Sequence, residues 1–276
     1  MLANLNDVLP RAKRKGYAVG LFNTVNLEMA RGVLAAAEES RSPVIIGTAE
    51  ILLPAASLEE LACLLLPLAQ KATVPVVVHF DHGLTEEKTR LAMDLGFTSI
   101  MYDCSTLGFE ENCRAVAAMV QEAHARGVSV EAELGHVGAN AGEGDYSVYT
   151  DPDEAKAFAE ATGADALAVA IGTAHGAYRA APKLDLQRLR IIAEKVSVPL
   201  VMHGGSGLSD ADFQNAIRSG MAKVNIFTDL NCACAKAAHD FYQPGCGMTD
   251  LIPHLTEAVK AATLKKMRLF GCMGRA

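Results

Sequence analysis

The stretch Val74-Pro-Val-Val-Val-His-Phe-Asp-His82 decides the fold that we predict for this chain. It is apolar and β-branched, which is typical of a fully buried strand, and it stops abruptly on Asp81 and His82. Ionisable groups at the end of a buried strand must either find partners or take part in chemistry. Two later apolar runs, at 166–172 and 199–202, lead in the same way to His175 and His203. In a barrel of parallel strands all three ends would meet at one mouth, where we expect the functional site.

Eight predicted strands alternate with amphipathic helices along the chain. Strands that are apolar throughout are typical of a parallel sheet covered by helices, and eight such units favour a (β/α)8 TIM barrel over an open doubly wound sheet. The turn after the first strand also lacks the GxGxxG pattern of a dinucleotide-binding open sheet. We expect one domain over residues 1–276, with an extra C-terminal helix at 251–269 that either closes the barrel's outside or contacts another subunit. The predicted strands are 17–22, 43–47, 74–81, 99–103, 128–135, 166–172, 199–204 and 223–228.

The composition excludes several classes of partner. The net charge is −7 and the charges are interspersed, so no basic face suits nucleic acid. The N-terminus lacks a signal-peptide pattern, and no uninterrupted apolar run reaches the roughly 18 residues of a membrane span. The seven cysteines are odd in number and show no CxxC spacing, which favours free thiols in a reducing compartment. We therefore predict a cytoplasmic protein that binds neither membrane nor nucleic acid.

Three histidines at equivalent strand ends indicate a metal site. A single histidine in such a place is usually a hydrogen-bonded core or rim residue, but His82, His175 and His203 share the same placement. Three imidazoles with carboxylates beside them suit zinc, although cobalt or iron could also bind, and three protein ligands leave a position open for substrate. His79 lies inside its strand and is expected to pack, and His136 is a weaker candidate. The carboxylates at other predicted strand ends are Asp103, Glu131 and Glu133.

Two glycine-containing turns suggest a phosphate site. His203-Gly-Gly-Ser-Gly207 follows the seventh strand, and Asn225-Ile-Phe-Thr228 ends the eighth and enters a helix. The turns after strands seven and eight of a barrel often bind phosphate, because backbone N–H groups and a helix N-terminus point at the ligand.

The sixth strand contains no lysine for a Schiff base, and Lys223 is expected at the start of the eighth strand, away from the mouth. If the enzyme is a carbon–carbon lyase, the metal route is favoured.

In combination, these motifs resemble the class II, zinc-dependent fructose-bisphosphate and tagatose-bisphosphate aldolases. The resemblance covers essentially the whole chain. It implies reversible cleavage of a ketose 1-phosphate or 1,6-bisphosphate into dihydroxyacetone phosphate and an aldehyde through a zinc-bound enediolate. The matching segments are His-Phe-Asp-His-Gly at 79–83, Ser-Val-Glu-Ala-Glu-Leu-Gly at 129–135, Ala-Val-Ala-Ile-Gly-Thr-Ala-His-Gly at 168–176, Met-His-Gly-Gly-Ser-Gly at 202–207 and Lys-Val-Asn-Ile at 223–226.

The resemblance also implies a role for individual residues. Zinc would bind His82, His175 and His203, and Asp103 and Glu133 could hold metal in an alternative or second position. Asp81 would exchange a proton with the oxygen of the aldehyde half. The family often uses a monovalent cation, Na⁺ or K⁺, at the phosphate, and its members form homodimers or homotetramers. The residues implied to bind dihydroxyacetone phosphate are Asn23, Gly176, Gly204, Gly205, Ser206, Asn225, Ile226, Phe227 and Thr228.

Two departures from the family's pattern affect the substrate assignment. The loop after the fifth strand usually carries a second proton-transfer residue, for which Glu143 is the candidate here. Phe227 stands where fructose enzymes have an acidic residue and tagatose enzymes a small one. No cationic cluster for a second phosphate is evident beyond Arg179, Arg268 and Arg275. The sequence therefore leaves open whether the aldehyde product carries a phosphate. The alternatives are another zinc barrel enzyme, a hydrolase or epimerase, and a non-catalytic sugar-phosphate-binding subunit.

Overall fold

The computed structural model describes residues 1–135, 149–174, 176 and 182–276. Its nine strands all pair in parallel. The strands are β1 (Leu2–Ala3), β2 (Val19–Asn23), β3 (Val44–Ala49), β4 (Val76–Gly83), β5 (Ser99–Tyr102), β6 (Ser129–Leu134), β7 (Ala166–Val169), β8 (Leu200–Met202) and β9 (Met221–Ile226).

Strands β2 to β9 close into an eight-stranded barrel. Each strand pairs with the next in chain order, β2 pairs with β9, and no seam is left open. The short β1 lies outside this ring. Its residues Leu2 and Ala3 pair with Val76 and Val77 of β4, which precede His79, the residue at which the pairing of β4 with β5 begins. The predicted TIM barrel is confirmed, and β1 is an addition that the sequence did not reveal.

Helices surround the barrel. The helix α1 (Leu5–Lys15) precedes the barrel strands and is tied to β6 by the backbone N–H of Leu5, which donates to Ser129 Oγ at 3.0 Å. The other helices are α2 (Leu27–Ser40), α3 (Leu58–Lys71), α4 (Glu86–Leu95), α5 (Phe109–Ala125), α6 (Pro152–Thr162), α7 (Leu186–Lys195), α8 (Asp210–Arg218), α9 (Thr228–Phe241) and α10 (Met248–Phe270). The last of them, α10, is the predicted extra C-terminal helix, and it packs against α2 and α9. No helix in the described part of the chain is long and apolar enough to span a bilayer.

Local sequence explains where several helices begin. Ser57 and Ser209 each accept a hydrogen bond from the backbone N–H three residues later, and the acidic side chain at that later position bonds back to the serine N–H. These reciprocal bonds satisfy backbone donors that the first helical turn otherwise leaves unpaired. Each of these serines therefore sets the start of the helix that follows it.

The inside of the barrel carries an unusual number of polar groups. Alternate residues of a strand face the same side, so Glu131 and Glu133 of β6 face inward together, as do Lys223 and Asn225 of β9. All four are buried. Buried charge is tolerated only when it is paired, so this layer must form one connected network.

The last barrel strand corrects one sequence expectation. It starts at Met221 and ends at Ile226, so Lys223 lies in mid-strand rather than at its beginning. The lysine Nζ donates to Asn225 Oδ1 at 2.7 Å, which brings it toward the mouth instead of away from it. The expected start was two residues late, because the apolar residues Met221 and Ala222, which follow Gly220, belong to the strand.

Candidate active site

Asp81 lies at the carboxyl end of β4 and is held by two side-chain amides. Asn23 Nδ2 donates to one carboxylate oxygen at 2.7 Å, and Asn225 Nδ2 donates to the other at 3.0 Å. Asp81 is 2 % exposed. Burial alone would raise its pKa, but the nearby His82, His203 and Lys223 outweigh this effect and lower it. The carboxylate is therefore ionised, and its two oxygens have fixed directions.

His82 adopts a backbone conformation that few side chains accept. Its φ is +42°, in the left-handed region, and the pairing of β4 with β5 shifts register between Phe80 and Gly83. Such strain is typical of functional sites, because only the surrounding structure maintains it. The turn directs the imidazole toward Asp103, whose Oδ2 lies 2.7 Å from His82 Nδ1. Asp103 is itself held by the backbone N–H of Ser105, which donates to Oδ1 at 3.0 Å.

His203 follows β8 and completes the centre of the site. Its Nδ1 lies 2.7 Å from His82 Nε2 and 3.4 Å from Glu133 Oε2, while its Nε2 lies 2.8 Å from Glu131 Oε1. The two histidine rings are nearly perpendicular, with centroids 4.5 Å apart. An imidazole that donates one N–H to a carboxylate presents its other nitrogen as a ligand. Asp103 can orient His82 in this way, and Glu131 can orient His203.

The donor atoms converge as a metal site requires. Among the described residues, three groups each have ligand atoms that lie within 4.8 Å of one another: Asp81, His82 and His203; His82, Asp103 and Glu133; and His79, Asp81 and Glu131. Imidazole nitrogen and carboxylate oxygen are donors that zinc accepts. Burial lowers the pKa of His82, but the charge of Asp81 and the bond to Asp103 together raise it to about 9. The surrounding carboxylates thus favour positive charge at this point, which is also what a metal cation requires.

The predicted phosphate side lies next to this centre. Gly204 has φ +67°, and a Cβ there would lie 2.3 Å from the Ala174 carbonyl oxygen, so the turn after β8 requires glycine. The Ser206 hydroxyl is buried and accepts a bond from the backbone N–H of Asp229, in the first turn of α9, at 3.3 Å. Gly205 N–H donates to Asn225 O at 3.3 Å, which ties this turn to the end of β9. The structure therefore brings the turns after β8 and β9 together.

Some predicted residues are placed differently or are not placed. Ile226 ends β9, Phe227 is the residue before α9, and Thr228 is the first residue of that helix, so the predicted strand end at 228 was two residues too long. Gly176 is exposed. His175 and Glu143 lie outside the described residues, as do His136 and Arg179.

A family model described as fructose-bisphosphate aldolase class-II matches residues 3–275. The chain belongs to the class II fructose-bisphosphate aldolase family. This family is zinc-dependent in general and acts on sugar phosphates, and the protein is a lyase of this class. The chain is 44% identical to the Escherichia coli protein YdjI over the full length of both chains, and 40% identical to the fructose-bisphosphate aldolase of Geobacillus stearothermophilus over 100% of this chain and 99% of the relative.

Solved structures support the same family assignment for the aldolase. The crystal structure of the YdjI aldolase superposes with a TM-score of 0.92 at 42% identity and covers 100% of both chains. A putative fructose-1,6-bisphosphate aldolase from Coccidioides immitis superposes with a TM-score of 0.89 at 32% identity, covering 98% of this chain and 96% of its own. The barrel and the strand ends that carry the candidate site are thus shared with aldolase structures.

Sequence reasoning missed two groups that contact this site. Lys223 had been placed away from the mouth, and Glu131 had been noted without a role. Both are fully buried, and Lys223 Nζ lies 2.8 Å from Glu131 Oε2. The signal that could have found them is the alternation of side chains along a strand. It places Glu131 on the same face of β6 as Glu133, and Lys223 on the same face of β9 as Asn225.

Proposed function

We propose that the protein is a metal-dependent aldolase that reversibly cleaves a ketose 1-phosphate or 1,6-bisphosphate of the tagatose or fructose type. The products would be dihydroxyacetone phosphate and an aldehyde. The observation that carries this proposal is the Asp81 carboxylate, which is ionised, fixed by two amides and adjacent to His82. A proton-transfer group and a metal-ligand pair at the same strand end are what retro-aldol cleavage on a metal requires.

In this proposal the zinc ligands are His82, His203 and His175. The chemistry that zinc supplies when bound is Lewis-acid stabilisation of the charge left on the ketose fragment when the carbon–carbon bond breaks. Asp103 and Glu133 would provide the second metal position, which is supported by the convergence of their oxygens with His82.

Asp81 would accept the hydroxyl proton of the aldehyde half during cleavage and return it in the reverse direction. The amides of Asn23 and Asn225 hold its two oxygens, so the lone pair that meets the substrate has a set direction. Glu143 is proposed as the second proton-transfer residue, which acts at the carbon of the dihydroxyacetone phosphate half.

The phosphate of the substrate would bind the turns after β8 and β9. This is supported by the tied arrangement of Gly204, Gly205 and Ser206 beside the first turn of α9, whose N-terminus favours an anion. A Na⁺ or K⁺ ion is proposed to assist there. The further residues proposed for this subsite are Asn23, Gly176, Asn225, Ile226, Phe227 and Thr228.

The relatives support the ketose phosphate class. The Geobacillus stearothermophilus protein is named a fructose-bisphosphate aldolase, which favours a fructose-type substrate. Phe227, which is partly buried against the core at the start of α9, would reshape the aldehyde pocket. We further propose that the chain is a single domain, works in the cytoplasm and forms a homodimer or homotetramer.

The test is release of dihydroxyacetone phosphate from a panel of ketose 1-phosphates and 1,6-bisphosphates, in fructose and tagatose forms, with and without a chelator. We expect release that the chelator abolishes. Asp81→Ala should retain zinc but lose about 10²–10⁴-fold in kcat, the usual contribution of general acid–base catalysis. Asp94→Ala, which removes an exposed carboxylate from a surface ion pair with Arg126, is the matched control and should keep full activity. Normal turnover by Asp81→Ala would remove Asp81 from the mechanism, and zinc binding without release from any substrate would refute the proposed function.

A further inference from the structure

A buried lysine lies beneath the candidate active site and contacts both of its halves. Lys223 is fully buried inside the barrel, with Nζ 2.8 Å from Glu131 Oε2 and 2.7 Å from Asn225 Oδ1. A buried ammonium is costly unless its donors are satisfied. Its position is therefore determined by an ion pair with Glu131 and a hydrogen bond to Asn225, which lie on different strands.

The ion-pair partner, Glu131, connects Lys223 to a histidine. Glu131 is fully buried, and its other oxygen, Oε1, lies 2.8 Å from His203 Nε2. A carboxylate that accepts one imidazole N–H selects the tautomer of the ring and fixes its orientation. With Nε2–H committed to Glu131, His203 Nδ1 is the nitrogen that faces His82. Lys223 is the cation that holds this carboxylate in the barrel interior.

The hydrogen-bond acceptor, Asn225, connects Lys223 to the carboxylate of Asp81. An ammonium can only donate, so Lys223 requires the oxygen of the Asn225 amide on its side. This leaves Nδ2 on the other side, where it donates to Asp81 Oδ1 at 3.0 Å. The lysine thus decides which way the amide points, and a reversed amide would place its oxygen against the Asp81 carboxylate.

We propose that Lys223 is a positioning residue that orients His203 through Glu131 and Asp81 through Asn225. This inference rests on the proposed function for the roles of His203 and Asp81. It gives one side chain a part in both metal affinity and proton transfer, although its ammonium contacts neither His203 nor Asp81.

The test compares zinc affinity and steady-state kinetics in three variants of the full chain. Zinc affinity is measured by competition with a chromogenic chelator, which needs no substrate. Lys223→Met keeps the length of the side chain but removes the charge, and we expect it to bind zinc about 10–100-fold more weakly, as for other groups that orient metal ligands. At saturating zinc, its kcat should fall more than its KM rises, because the orientation of the Asp81 carboxylate affects proton transfer in the transition state.

The double variant Glu131→Gln with Lys223→Met separates the two arms of the proposal, which are the orientation of His203 through Glu131 and the orientation of Asp81 through Asn225. Once Lys223 is replaced, the single amide oxygen of glutamine at 131 can accept from His203 without competition from an ammonium, so zinc affinity should recover above that of Lys223→Met. The arm through Asn225 stays broken, so kcat should remain below that of Glu131→Gln. If Lys223→Met does not fold, this comparison of the double variant with Glu131→Gln alone carries the test, since the double variant leaves no unpaired buried charge.

Lys13→Met is the matched control for loss of a partly buried ammonium. Lys13 Nζ donates to the carbonyls of Val196, Ser197 and Val198 at 2.7, 2.6 and 3.0 Å, in the segment before β8 and so away from the mouth. It should lower the melting temperature and leave zinc affinity and kcat unchanged.

Two outcomes would overturn the proposal: wild-type zinc affinity and kcat in Lys223→Met, or a kcat in the double variant equal to that of Glu131→Gln. Weaker zinc binding in Lys223→Met, without aldol cleavage by the wild type, would support the arm through Glu131 while refuting the proposed function.

Discussion

His79 makes the stability of this protein depend on pH in a way that can be measured. It is fully buried in β4, where its Nδ1 lies 2.7 Å from Ser99 Oγ. Among the described residues its Nε2 has no hydrogen-bond partner, and the nearest carboxylate oxygen, on Asp81, is 3.8 Å away. Burial, with the positive charge of Lys223 nearby, lowers its pKa from 6.5 to about 3. The folded protein therefore keeps this imidazole neutral.

The sign and size of the effect follow from linkage. Because the folded-state pKa lies below the unfolded value, the unfolded chain binds the proton first as the pH falls, and folding stability decreases below pH 6.5. At pH 5 the loss from this one histidine is about 2 kcal/mol, since each unit between the pH and the unfolded pKa costs about 1.4 kcal/mol. The raised pKa of His82, about 9, acts in a different window: its contribution is present below pH 6.5 and is lost as the pH rises through 9.

The assay is urea unfolding of chelator-treated protein at pH 7 and pH 5, for the wild type and for His79→Asn. Asparagine keeps an amide near the position of Nδ1 for Ser99 but cannot titrate, so its absolute stability falls while its pH dependence shrinks. We expect the wild type to lose about 2 kcal/mol more than the variant between these two pH values. The carboxylates with lowered pKa values, Asp81 and Asp103, titrate below this range. Equal losses in the two proteins would refute the reasoning.

Two further predictions concern the barrel and its metal site. Gly47→Ala would place a Cβ 1.9 Å from the His79 carbonyl oxygen, so we expect thermal unfolding to show a destabilisation of about 3 kcal/mol or more. The control, Gly108→Ala, adds a Cβ in open space and should be nearly neutral. A folded Gly47→Ala variant of normal stability would contradict the geometry of β3 and β4. Asp103→Asn removes the carboxylate beside His82 Nδ1, so zinc affinity measured by chelator competition should fall about 10–100-fold. Unchanged zinc affinity would show that Asp103 neither orients His82 nor binds metal.

The barrel could be predicted because its signal is repeated and local. Eight apolar runs of strand length, each followed by a helical pattern, leave few alternatives to a parallel barrel. The prediction that Asp81, His82 and His203 lie together follows from topology alone, since each is next to the carboxyl end of a strand. The short β1 escaped prediction because two residues carry no periodicity.

The sequence by itself thus determined the order of the elements, the edge of the barrel that carries the site and the residue types at its mouth. Only the tertiary structure decided the network beneath: that Lys223 meets Glu131 across the barrel, that Asn225 turns its amide toward Asp81, and that His82 takes a left-handed backbone. The reason is physical. Period and capping are properties of neighbours along the chain, whereas the pairing of a buried charge depends on how the closed barrel aligns strands that are distant in sequence.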